Sequence, residues 1–504
     1  MVKLSALICE LDTMETNCSL DLEVAGVKND SRKVGRGDVF VAISGAAQDG
    51  HMYIPKAIEM GASVVVSEKP LDGCCPYVVV PDTRVALSRL ASAFFRHPSR
   101  KMRMVGVTGT NGKTTVTHLI SRILEPDNFV GLIGTNHVII RGEEYPAERT
   151  TPDAVSLHGT LSQMAQAGCQ CCVMEVSSHA LDQCRVDGIH YSTAVFTNLT
   201  QDHLDYHQSM EEYYLAKRKL FGMSSQAVIN ADNPYGRRLA VECQLGAITF
   251  SSRKEAADLS ARGIRLFPDR VEFEAVFEGR AAPVSWRTPG MFSVSNALAA
   301  IGAALMEGIA LEAAAARVGR AMPVMGRMEA VPVPADFTVI IDYAHTPDGL
   351  ENVLASAREV TKGRILLVFG CGGDRDTGKR PIMGRIAARR ADVCVLTSDN
   401  PRTENPGRII SDIASGMGSA KPRIVENRAE AIHMALSLAM PGDMVLLCGK
   451  GHETYQEVFD QKYPMDERQI VESYWRDFGA TKSSDRSQES EDRSQNEENE
   501  PQLF

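Results

Sequence analysis

The 504-residue sequence predicts an α/β protein of three domains, in which helices connect the strands of mostly parallel sheets. Three observations support this prediction. Short β-rich segments alternate with helical segments, the chain is too long for one hydrophobic core, and polar Gly- or Pro-containing stretches follow many of the apolar runs. The composition is that of a globular protein, with 44% hydrophobic and 23% charged residues.

Residues 1–100 are predicted to form a small N-terminal α/β domain. The β-rich runs VFVAI, SVVVSE and YVVVPD alternate there with helical stretches at 54–61 and 88–96. A central domain, 101–327, begins with the strand MVGV, a glycine-rich loop and a helix at 113–124. It continues with a helix at 153–167, the strands CCVMEVSS and TAVFTNL, a hairpin region at 263–287 and an Ala-rich helical pair at 294–319. This alternation indicates a doubly wound parallel sheet.

Residues 328–480 repeat one pattern four times. The apolar strands FTVIID, RILLVFG, DVCVLTS and MVLLCG are followed by DYAHTPD, CGGDRD, DNPR and GKGHE. Ligands of open α/β sheets bind beyond the carboxyl ends of the strands, so this Rossmann-like domain is predicted to present a binding face. The polar tail 481–504 repeats DRSQ and is predicted to be disordered.

Charge and cysteine usage exclude several classes of function. A net charge of −10 gives no indication of a nucleic-acid surface or of a cationic membrane-binding face. No apolar run is long enough to span a bilayer, and acidic residues interrupt the N-terminal apolar stretch, which argues against a signal peptide. Twelve cysteines in so long a chain favour buried thiols over a disulfide framework. A cytoplasmic monomer is expected.

The segment VGVTGTNGKTT, residues 105–115, resembles a phosphate-binding loop with a displaced first glycine. The common pattern is G-x-x-x-x-G-K-[ST], but Val107 occupies the first glycine position and the glycine is Gly109. The backbone N–H groups of such a loop bind phosphate, Lys113 would contact the β- and γ-phosphates, and Thr114 would offer its hydroxyl to Mg²⁺. Glu175, directly after the strand CCVM, is the predicted acidic partner of the metal, although a strand-end Glu is more often only solvated.

The helix after Ser209 contains a lysine on its apolar side. Ser209 and Glu212 form a capping box, and Lys217 lies within the apolar stripe. A buried, unpaired ammonium is costly, so Lys217 is expected to pair, to lose its proton or to be modified, or else to extend past its neighbours to water. The pattern alone favours the last alternative. His203, in the run TNLTQDHLDYH after a strand, is a further candidate for the metal region.

Ten motifs in order resemble one family. TGTNGKTT, MEVSSHAL, TNLTQDHLDYH, the AK of the helix after it, SNALAA, GRME, DYAHTPD, GGDRD, DNPR and GKGHE are similar to motifs of the Mur ligases of peptidoglycan synthesis, over residues 20–475. These ligases carry TGTNGKT[TS], which accounts for the displaced glycine. The resemblance implies an ATP-dependent amide ligase that forms an acyl phosphate on a terminal D-glutamate carboxylate, which an incoming amine then attacks.

The resemblance also implies the site residues. Lys113, Lys217, His203 and Glu175 are the implied catalytic residues, and Lys217 matches a lysine that the family carbamylates with CO₂. Mg²⁺ would be held by Thr114, Glu175, His203 and the carbamate of Lys217. The implied ATP contacts are Gly109, Thr110, Asn111, Gly112, Lys113, Thr114, Thr115, Asn296, Arg327, Asp342 and His345.

Two substrates follow from the same resemblance. Contacts to UDP-N-acetylmuramoyl-L-alanyl-D-glutamate are implied for Ser31, Thr150, Thr151, Ser177, Gln183 and Arg185; Ala46, Ala47 and Arg149 depart from the family pattern there. Contacts to meso-2,6-diaminopimelate are implied for Arg375, Asp399, Asn400, Pro401, Arg402, Gly449 and Glu453. DNPR occurs in the members that add diaminopimelate, whose second carboxylate suits the guanidinium of Arg402.

Alternative functions remain open at this point. L-Lysine could be the acceptor, or the protein could be a P-loop kinase or ATPase without ligation. A non-catalytic nucleotide-binding scaffold would not need Lys113, Glu175, His203 and Lys217. A folate-polyglutamating ligase would not be expected to carry DNPR.

Overall fold

The computed structural model describes residues 1–45, 49–72, 75–253, 256–459 and 461–476. It confirms the α/β class, because three sheets with parallel central strands carry helices between their strands. Contacts divide the chain into two compact units, each described by itself: unit 1 comprises 1–263, 273–284 and 294–321, and unit 2 comprises 264–272, 285–293 and the chain from 322. The predicted disordered tail and Ala46–Ala47 lie outside the described residues.

The N-terminal part of unit 1 contains a five-stranded sheet in the order β2-β7-β6-β5-β4, parallel except for β2. Its valine-rich strands are buried on both faces, as expected of parallel strands covered by helices. A short pair, β1-β3, lies beside it. The elements are β1 (Val2–Lys3), α1 (Leu4–Ile8), β2 (Glu15–Thr16), β3 (Glu23–Val24), β4 (Gly26–Lys28), β5 (Asp38–Val41), α2 (Ile54–Glu59), β6 (Val64–Ser67), β7 (Tyr77–Val79) and α3 (Thr83–Phe94).

The second sheet has the order β11-β10-β9-β12-β8-β13-β14-β15-β16-β17-β18, and its strands from β9 to β16 are parallel. The elements are β8 (Arg103–Thr108), α4 (Lys113–Leu124), β9 (Val130–Ile133), β10 (His137–Ile140), β11 (Glu143–Pro146), α5 (Ala154–Gln166), β12 (Cys171–Glu175), α6 (Ser178–Asp182), β13 (Tyr191–Phe196), α7 (Leu204–His207), α8 (Met210–Gly222), β14 (Ser224–Asn230), α9 (Pro234–Glu242), β15 (Gly246–Ser251), β16 (Leu259–Leu266), β17 (Val271–Phe277), β18 (Arg280–Trp286), α10 (Met291–Met306) and α11 (Leu311–Arg320).

Polar caps determine where the predicted helices begin. The Asp153 carboxylate accepts the N–H of Ser156, so α5 starts one residue later than the predicted 153–167. The Ser209 hydroxyl accepts the N–H of Glu212 at 3.2 Å, which confirms the predicted cap of α8. Helix α4 has the predicted bounds and begins after Gly112, whose φ of 86° lies in the left-handed region.

Unit 2 is built on a six-stranded sheet in the order β19-β20-β24-β21-β22-β23, parallel except for β19. The four predicted apolar strands form β20, β21, β22 and β24, with hydrophobic clusters on both faces, and Leu266 and Phe292 pack against one cluster. The elements are β19 (Glu329–Val331), β20 (Thr338–Asp342), α12 (Pro347–Val360), β21 (Ile365–Phe369), α13 (Lys379–Arg390), β22 (Val393–Leu396), α14 (Pro406–Ser415), β23 (Arg423–Ile424), α15 (Arg428–Leu438), β24 (Met444–Cys448), β25 (Tyr455–Val458) and β26 (Gln461–Pro464).

In the part of the chain that the structure describes, no helix is both long enough and apolar enough to cross a membrane.

Candidate active site

The glycine-rich loop joins the carboxyl end of β8 to the start of α4, so its N–H groups lie at a helix N-terminus, where anions bind. Lys113 Nζ donates to the carbonyls of Gly109 and Thr110 at 3.1 and 2.9 Å. A Cβ on Gly112 would lie 2.5 Å from Asn296 Oδ1, which places Asn296 of α10 directly against the loop. The structure therefore brings Asn296 to the phosphate loop, as the family resemblance implies.

The segment after β13 holds this loop in place. The Asn198 carbonyl accepts the N–H of Thr110, and Asn198 Oδ1 accepts the N–H of Asn111, both at 2.9 Å. The Thr197 hydroxyl donates to the Asn111 carbonyl at 2.6 Å. A Cβ on Gly109 would overlap Thr197 Oγ1, so this approach requires glycine. The TNLT run is thus a structural support of the phosphate loop, a role that the sequence analysis did not assign.

Lys217 is buried in α8, with 1% of its surface exposed. Its Nζ donates to the Gly109 carbonyl at 2.9 Å and lies 4.5 Å from the centre of the Tyr213 ring. The prediction that this side chain reaches water is wrong, because α8 packs its lysine-bearing face against the phosphate loop. Burial lowers the pKa of Lys217 well below its usual range, the Lys113 ammonium lowers it further, and Asp202 opposes them. The surroundings of Lys217 therefore disfavour its charged form beside the loop.

Glu175 is the last residue of β12, opposite Val107 of β8 and thus two residues before the phosphate loop. Its buried carboxylate accepts the N–H of Thr135 at 2.8 Å and the Thr135 hydroxyl at 3.1 Å. The Thr151 hydroxyl donates to the Glu175 carbonyl and accepts the N–H of Ser177. A fixed, buried carboxylate at this strand end has oxygen lone pairs left for a cation, which the sequence could not show.

The described ranges contain no group of three or more His, Cys, Asp and Glu side chains that could hold a metal ion. Mg²⁺ is commonly bound by one or two carboxylates together with the phosphates of a substrate, rather than by an all-protein cage. The buried Glu175 carboxylate, with Thr114 at the start of α4, fits that kind of site.

His203 lies in a left-handed conformation, with φ of 52°, just before α7. Its Nε2 is 3.5 Å from Asp202 Oδ2, and its ring packs edge-on against His179 and Tyr213. Tyr213 also contacts Lys217 and shares a 3.2 Å hydrogen bond with Thr110 Oγ1. Tyr213 therefore connects the region of His203 to the phosphate loop, although the sequence indicated only that it was apolar.

A cavity of about 260 Å³ in unit 1 contains two of the residues predicted to bind the nucleotide-sugar peptide. The Arg185 guanidinium donates to Gln183 Oε1 at 2.6 and 3.0 Å and to the Thr151 carbonyl at 3.0 Å. Burial and the neighbouring Arg149 guanidinium lower the pKa of Arg185. Arg84 also lines the cavity, and three guanidiniums in one cavity favour an anionic ligand.

The other residues predicted for this substrate occupy nearby positions. The Thr150 hydroxyl shares a 3.1 Å hydrogen bond with the Thr135 hydroxyl, and the Ser177 hydroxyl caps α6 by accepting the N–H of Ala180. Ser31 is buried and begins a short 3-10 segment, Ser31–Lys33. Ser31 itself is not one of the described residues that line the cavity, although Asn29 is.

Three predicted nucleotide contacts lie together in unit 2. Asp342, the last residue of β20, accepts the N–H groups of Met328 and Ala344 at 2.8 Å. Burial raises the pKa of the Asp342 carboxyl, and the Arg327 guanidinium opposes that shift. The Arg327 guanidinium lies 5.1 Å from the ring of Tyr343, and the rings of His345 and His452 lie 4.6 and 4.9 Å from the same ring. These side chains form one polar group at the carboxyl end of β20.

The predicted acceptor residues converge from three loops at the carboxyl edge of the unit 2 sheet. Asp374, beside Arg375, accepts the N–H and hydroxyl of Thr403, which joins the GGDRD loop to the loop after DNPR. A Cβ on Gly449, whose φ is 114°, would lie 2.5 Å from Asp399 Oδ2. Asn400 Nδ2 donates to Glu453 Oε2 at 2.8 Å. The structure thus brings the GGDRD, DNPR and GKGHE segments together.

Arg402 has a left-handed φ of 51° and 19% of its side chain exposed. Its Nε donates to Glu457 Oε2 at 2.9 Å, and one Nη donates to the Gly373 carbonyl at 2.8 Å. The backbone of Arg402 also pairs with the β25 hairpin through the Glu457 carbonyl. Glu457 therefore positions the guanidinium predicted to bind the second carboxylate, and nothing in its local sequence identified that role.

Unit 1 therefore carries a glycine-rich loop at the N-terminus of a helix, and unit 2 carries a cluster of polar side chains at the carboxyl edge of its sheet. Three family descriptions match the chain: "Mur ligase family, catalytic domain" over residues 23–95, "Mur ligase middle domain" over 107–304, and "Mur ligase, glutamate ligase domain" over 326–451. The chain belongs to the Mur ligase family.

Two relatives and one solved structure illustrate the similarity. The Clostridium tetani protein is 42% identical over 93% of this chain and 98% of its own length, and the Gloeobacter violaceus protein is 46% identical over 90% and 94%. Both are named UDP-N-acetylmuramoyl-L-alanyl-D-glutamate–2,6-diaminopimelate ligase. A solved structure of a ligase of that name superimposes with a TM-score of 0.70 at 32% identity, covering 94% of this chain and 98% of that one.

Proposed function

We propose that this chain is the ATP-dependent amide ligase that joins meso-2,6-diaminopimelate to UDP-N-acetylmuramoyl-L-alanyl-D-glutamate in peptidoglycan precursor synthesis. The relatives named for that reaction span more than nine-tenths of their own length in the match. The observation that favours this acceptor is the Arg402 guanidinium, held by Glu457 at the edge where Asn400 and Glu453 also lie. A second carboxylate distinguishes diaminopimelate from lysine, and a guanidinium binds that group well.

The chemistry proceeds in two steps. The γ-phosphoryl group of ATP passes to the D-glutamate carboxylate, which gives an acyl phosphate and ADP. The amine of the acceptor attacks the acyl carbon, a tetrahedral intermediate collapses, and inorganic phosphate leaves as the amide forms. Phosphoryl transfer depends on positioning and on neutralising charge, so the loop N–H groups and Lys113 are the groups suited to hold the phosphates.

Mg²⁺ is part of the proposal, and its ligands would be Thr114, Glu175, His203 and the carbamate of Lys217. When bound, Mg²⁺ would neutralise charge on the transferring phosphoryl group. The residues of this chain provide the fixed oxygen donors: the Glu175 carboxylate is oriented by Thr135, and Thr114 is buried at the N-terminus of α4.

Carbamylation of Lys217 is a further part of the proposal. A C–N bond would form between Nζ of the neutral amine and the carbon of CO₂ while the amine releases one proton, which turns a neutral group into an anion. The reaction needs a neutral amine, and burial beside Lys113 favours the neutral form of Lys217. Enzyme equilibrated with ¹³C-bicarbonate should give a carbamate carbon signal in NMR that Lys217→Met lacks; an identical signal in both proteins would reject the modification.

We also propose a cytoplasmic monomer. Cys169, Cys171 and Cys172 are buried free thiols, which are common in proteins of a reducing compartment. Light scattering of the purified protein and fractionation of cells that produce it would test the two parts of this proposal separately.

The reaction is tested by phosphate release with ATP, Mg²⁺ and UDP-N-acetylmuramoyl-L-alanyl-D-glutamate, with meso-diaminopimelate, L-lysine or no amino acid added in parallel. Release that requires meso-diaminopimelate is expected. Release with lysine would retain the ligase and change the acceptor, whereas release without any amino acid would indicate an ATPase. A mass spectrum of the nucleotide product would verify that the amide has formed.

A further inference from the structure

We infer that Lys450 is a positioning residue of the acceptor site: its buried ammonium fixes Asn400 and Glu453 so that each keeps one polar group for the amino-acid substrate. This inference rests on the proposed function. Lys450 lies two residues after β24, and Asn400 lies in the loop after β22, with β21 between the two strands. The lysine side chain therefore links two loops whose strands are not neighbours.

The burial of Lys450 is complete, with 0% of its surface exposed. Its Nζ donates to Asn400 Oδ1 at 2.6 Å and to Glu453 Oε2 at 2.9 Å, and it lies 5.3 Å from the centre of the Tyr455 ring. A buried ammonium is stable only when it is paired and hydrogen-bonded. Because its bonds are directed to these side chains, Lys450 acts through them rather than by touching a substrate.

The hydrogen bonds of Asn400 fix the orientation of its amide. Oδ1 accepts from Lys450 Nζ and from the N–H of Glu457, whereas Nδ2 donates to Glu453 Oε2. Two donors face one side of the amide and a carboxylate faces the other, so a flipped amide would lose all three bonds. Nδ2 carries two hydrogens, and one of them remains for a further acceptor.

Glu453 is fixed in the same way. Oε2 accepts from both Asn400 and Lys450, and no donor among the described residues lies on Oε1. The site thus offers an N–H donor on Asn400 beside a carboxylate oxygen on Glu453. That pair matches a carbon that bears a carboxylate and an ammonium group, which is the common feature of an amino-acid acceptor.

The first test compares steady-state kinetics of Lys450→Met with wild type. Methionine keeps the apolar length of the side chain but removes the ammonium, so KM for meso-diaminopimelate should rise about 10- to 100-fold while KM for ATP stays within about twofold. The matched control is Arg364→Met, which removes an Arg364–Asp443 pair at the opposite, amino end of β24. The control should leave both KM values unchanged. Equal rises in both KM values for Lys450→Met would overturn the inference.

A double-mutant cycle distinguishes positioning from general damage. If Lys450 acts through Glu453, the variant Lys450→Met/Glu453→Gln should have a KM for meso-diaminopimelate near that of the worse single variant. Multiplicative effects of the two substitutions would contradict the inference.

Hydrogen exchange tests the same inference without any substrate. In Lys450→Met, the amides of Asp399, Asn400, Arg402 and residues 455–458 should lose protection, and in Arg364→Met they should not. Unchanged protection in Lys450→Met would reject the positioning role even if the proposed reaction fails. Absence of phosphate release by wild type would instead reject the proposed function alone.

Discussion

Lys113 and Lys217 donate to the same oxygen, the carbonyl of Gly109, at 3.1 and 2.9 Å. One lysine belongs to the phosphate loop and the other to α8, more than a hundred residues away in sequence. Burial lowers the pKa of Lys217 well below its usual range, and repulsion from the nearby Lys113 ammonium lowers it further. The Gly109 carbonyl therefore links the lysine of the glycine-rich loop to the buried lysine of α8.

Replacing Lys217 with methionine should lower kcat by about 10²- to 10³-fold, because a preorganised group beside the transferring phosphoryl would be lost. Lys219→Met on the same helix, whose Nζ is at the surface 3.5 Å from Asp182, is the control and should retain activity. Phosphate release is the measurement, and a kcat close to that of wild type would remove Lys217 from the catalytic group.

Lys217 should also make stability depend on pH. Its folded-state pKa is lowered, so between that value and the unfolded-state value of about 10.4 the unfolded chain binds the extra proton. In CO₂-free buffer, the thermal midpoint of wild type should therefore rise relative to that of Lys217→Met as pH increases from 7 to 10. Parallel curves for the two proteins would show that the lysine is not buried as an amine.

Gly112→Ala should raise KM for ATP by about tenfold or more. The new Cβ would lie 2.5 Å from Asn296 Oδ1, and φ of 86° is strained for alanine, so the loop must move. Gly142→Ala shares a φ of 86° but has no neighbour within 4 Å, which makes it a control for backbone strain alone. Equal KM values for the two variants would argue against contact between the loop and ATP.

Arg402→Lys should raise KM for meso-diaminopimelate by about 10- to 100-fold and leave KM for ATP unchanged, since an ammonium cannot replace a two-point guanidinium contact. Glu457→Gln should cause a smaller rise in the same parameter, because it weakens the contact that orients Arg402. Steady-state kinetics with each substrate varied in turn would measure both effects. An equal rise for ATP would exclude a specific role in acceptor binding.

We expect the buried His158 to make the protein less stable in acid. His158 is a buried residue of α5 that contacts Ser88 of α3, and this burial lowers its pKa from 6.5 to about 4. The unfolded chain therefore binds a proton more readily between those two pH values. The contribution of this group to the free energy of unfolding is complete above pH 6.5 and decreases by about 3 kcal/mol as pH falls to 4. The thermal midpoint of His158→Gln should fall less than that of wild type from pH 7 to 4.5. An identical fall would show that His158 is not the responsible group.

Local patterns predicted the α/β class, the helix 113–124 and the four strands of unit 2, because apolar periodicity and caps depend on neighbouring residues. They did not predict that Lys217 is buried, since the pattern of α8 cannot reveal what packs on that helix. Thr135, Tyr213, Lys450 and Glu457 were also missed. Their roles arise from contacts between distant segments, such as the 2.8 Å bond from the Thr135 N–H to Glu175, and a single sequence carries no signal of these contacts.

The discontinuous course of unit 2 has a practical consequence for expressing it in isolation. Residues 264–272 and 285–293 come from the preceding part of the chain, and Leu266 and Phe292 pack against a core of the six-stranded sheet. A fragment that begins at residue 322 would lack both side chains. The core surface that they cover would then face solvent, and such exposed apolar surface is prone to aggregation. A soluble fragment would need these two segments grafted onto its N-terminus, or polar replacements for the core side chains that they cover.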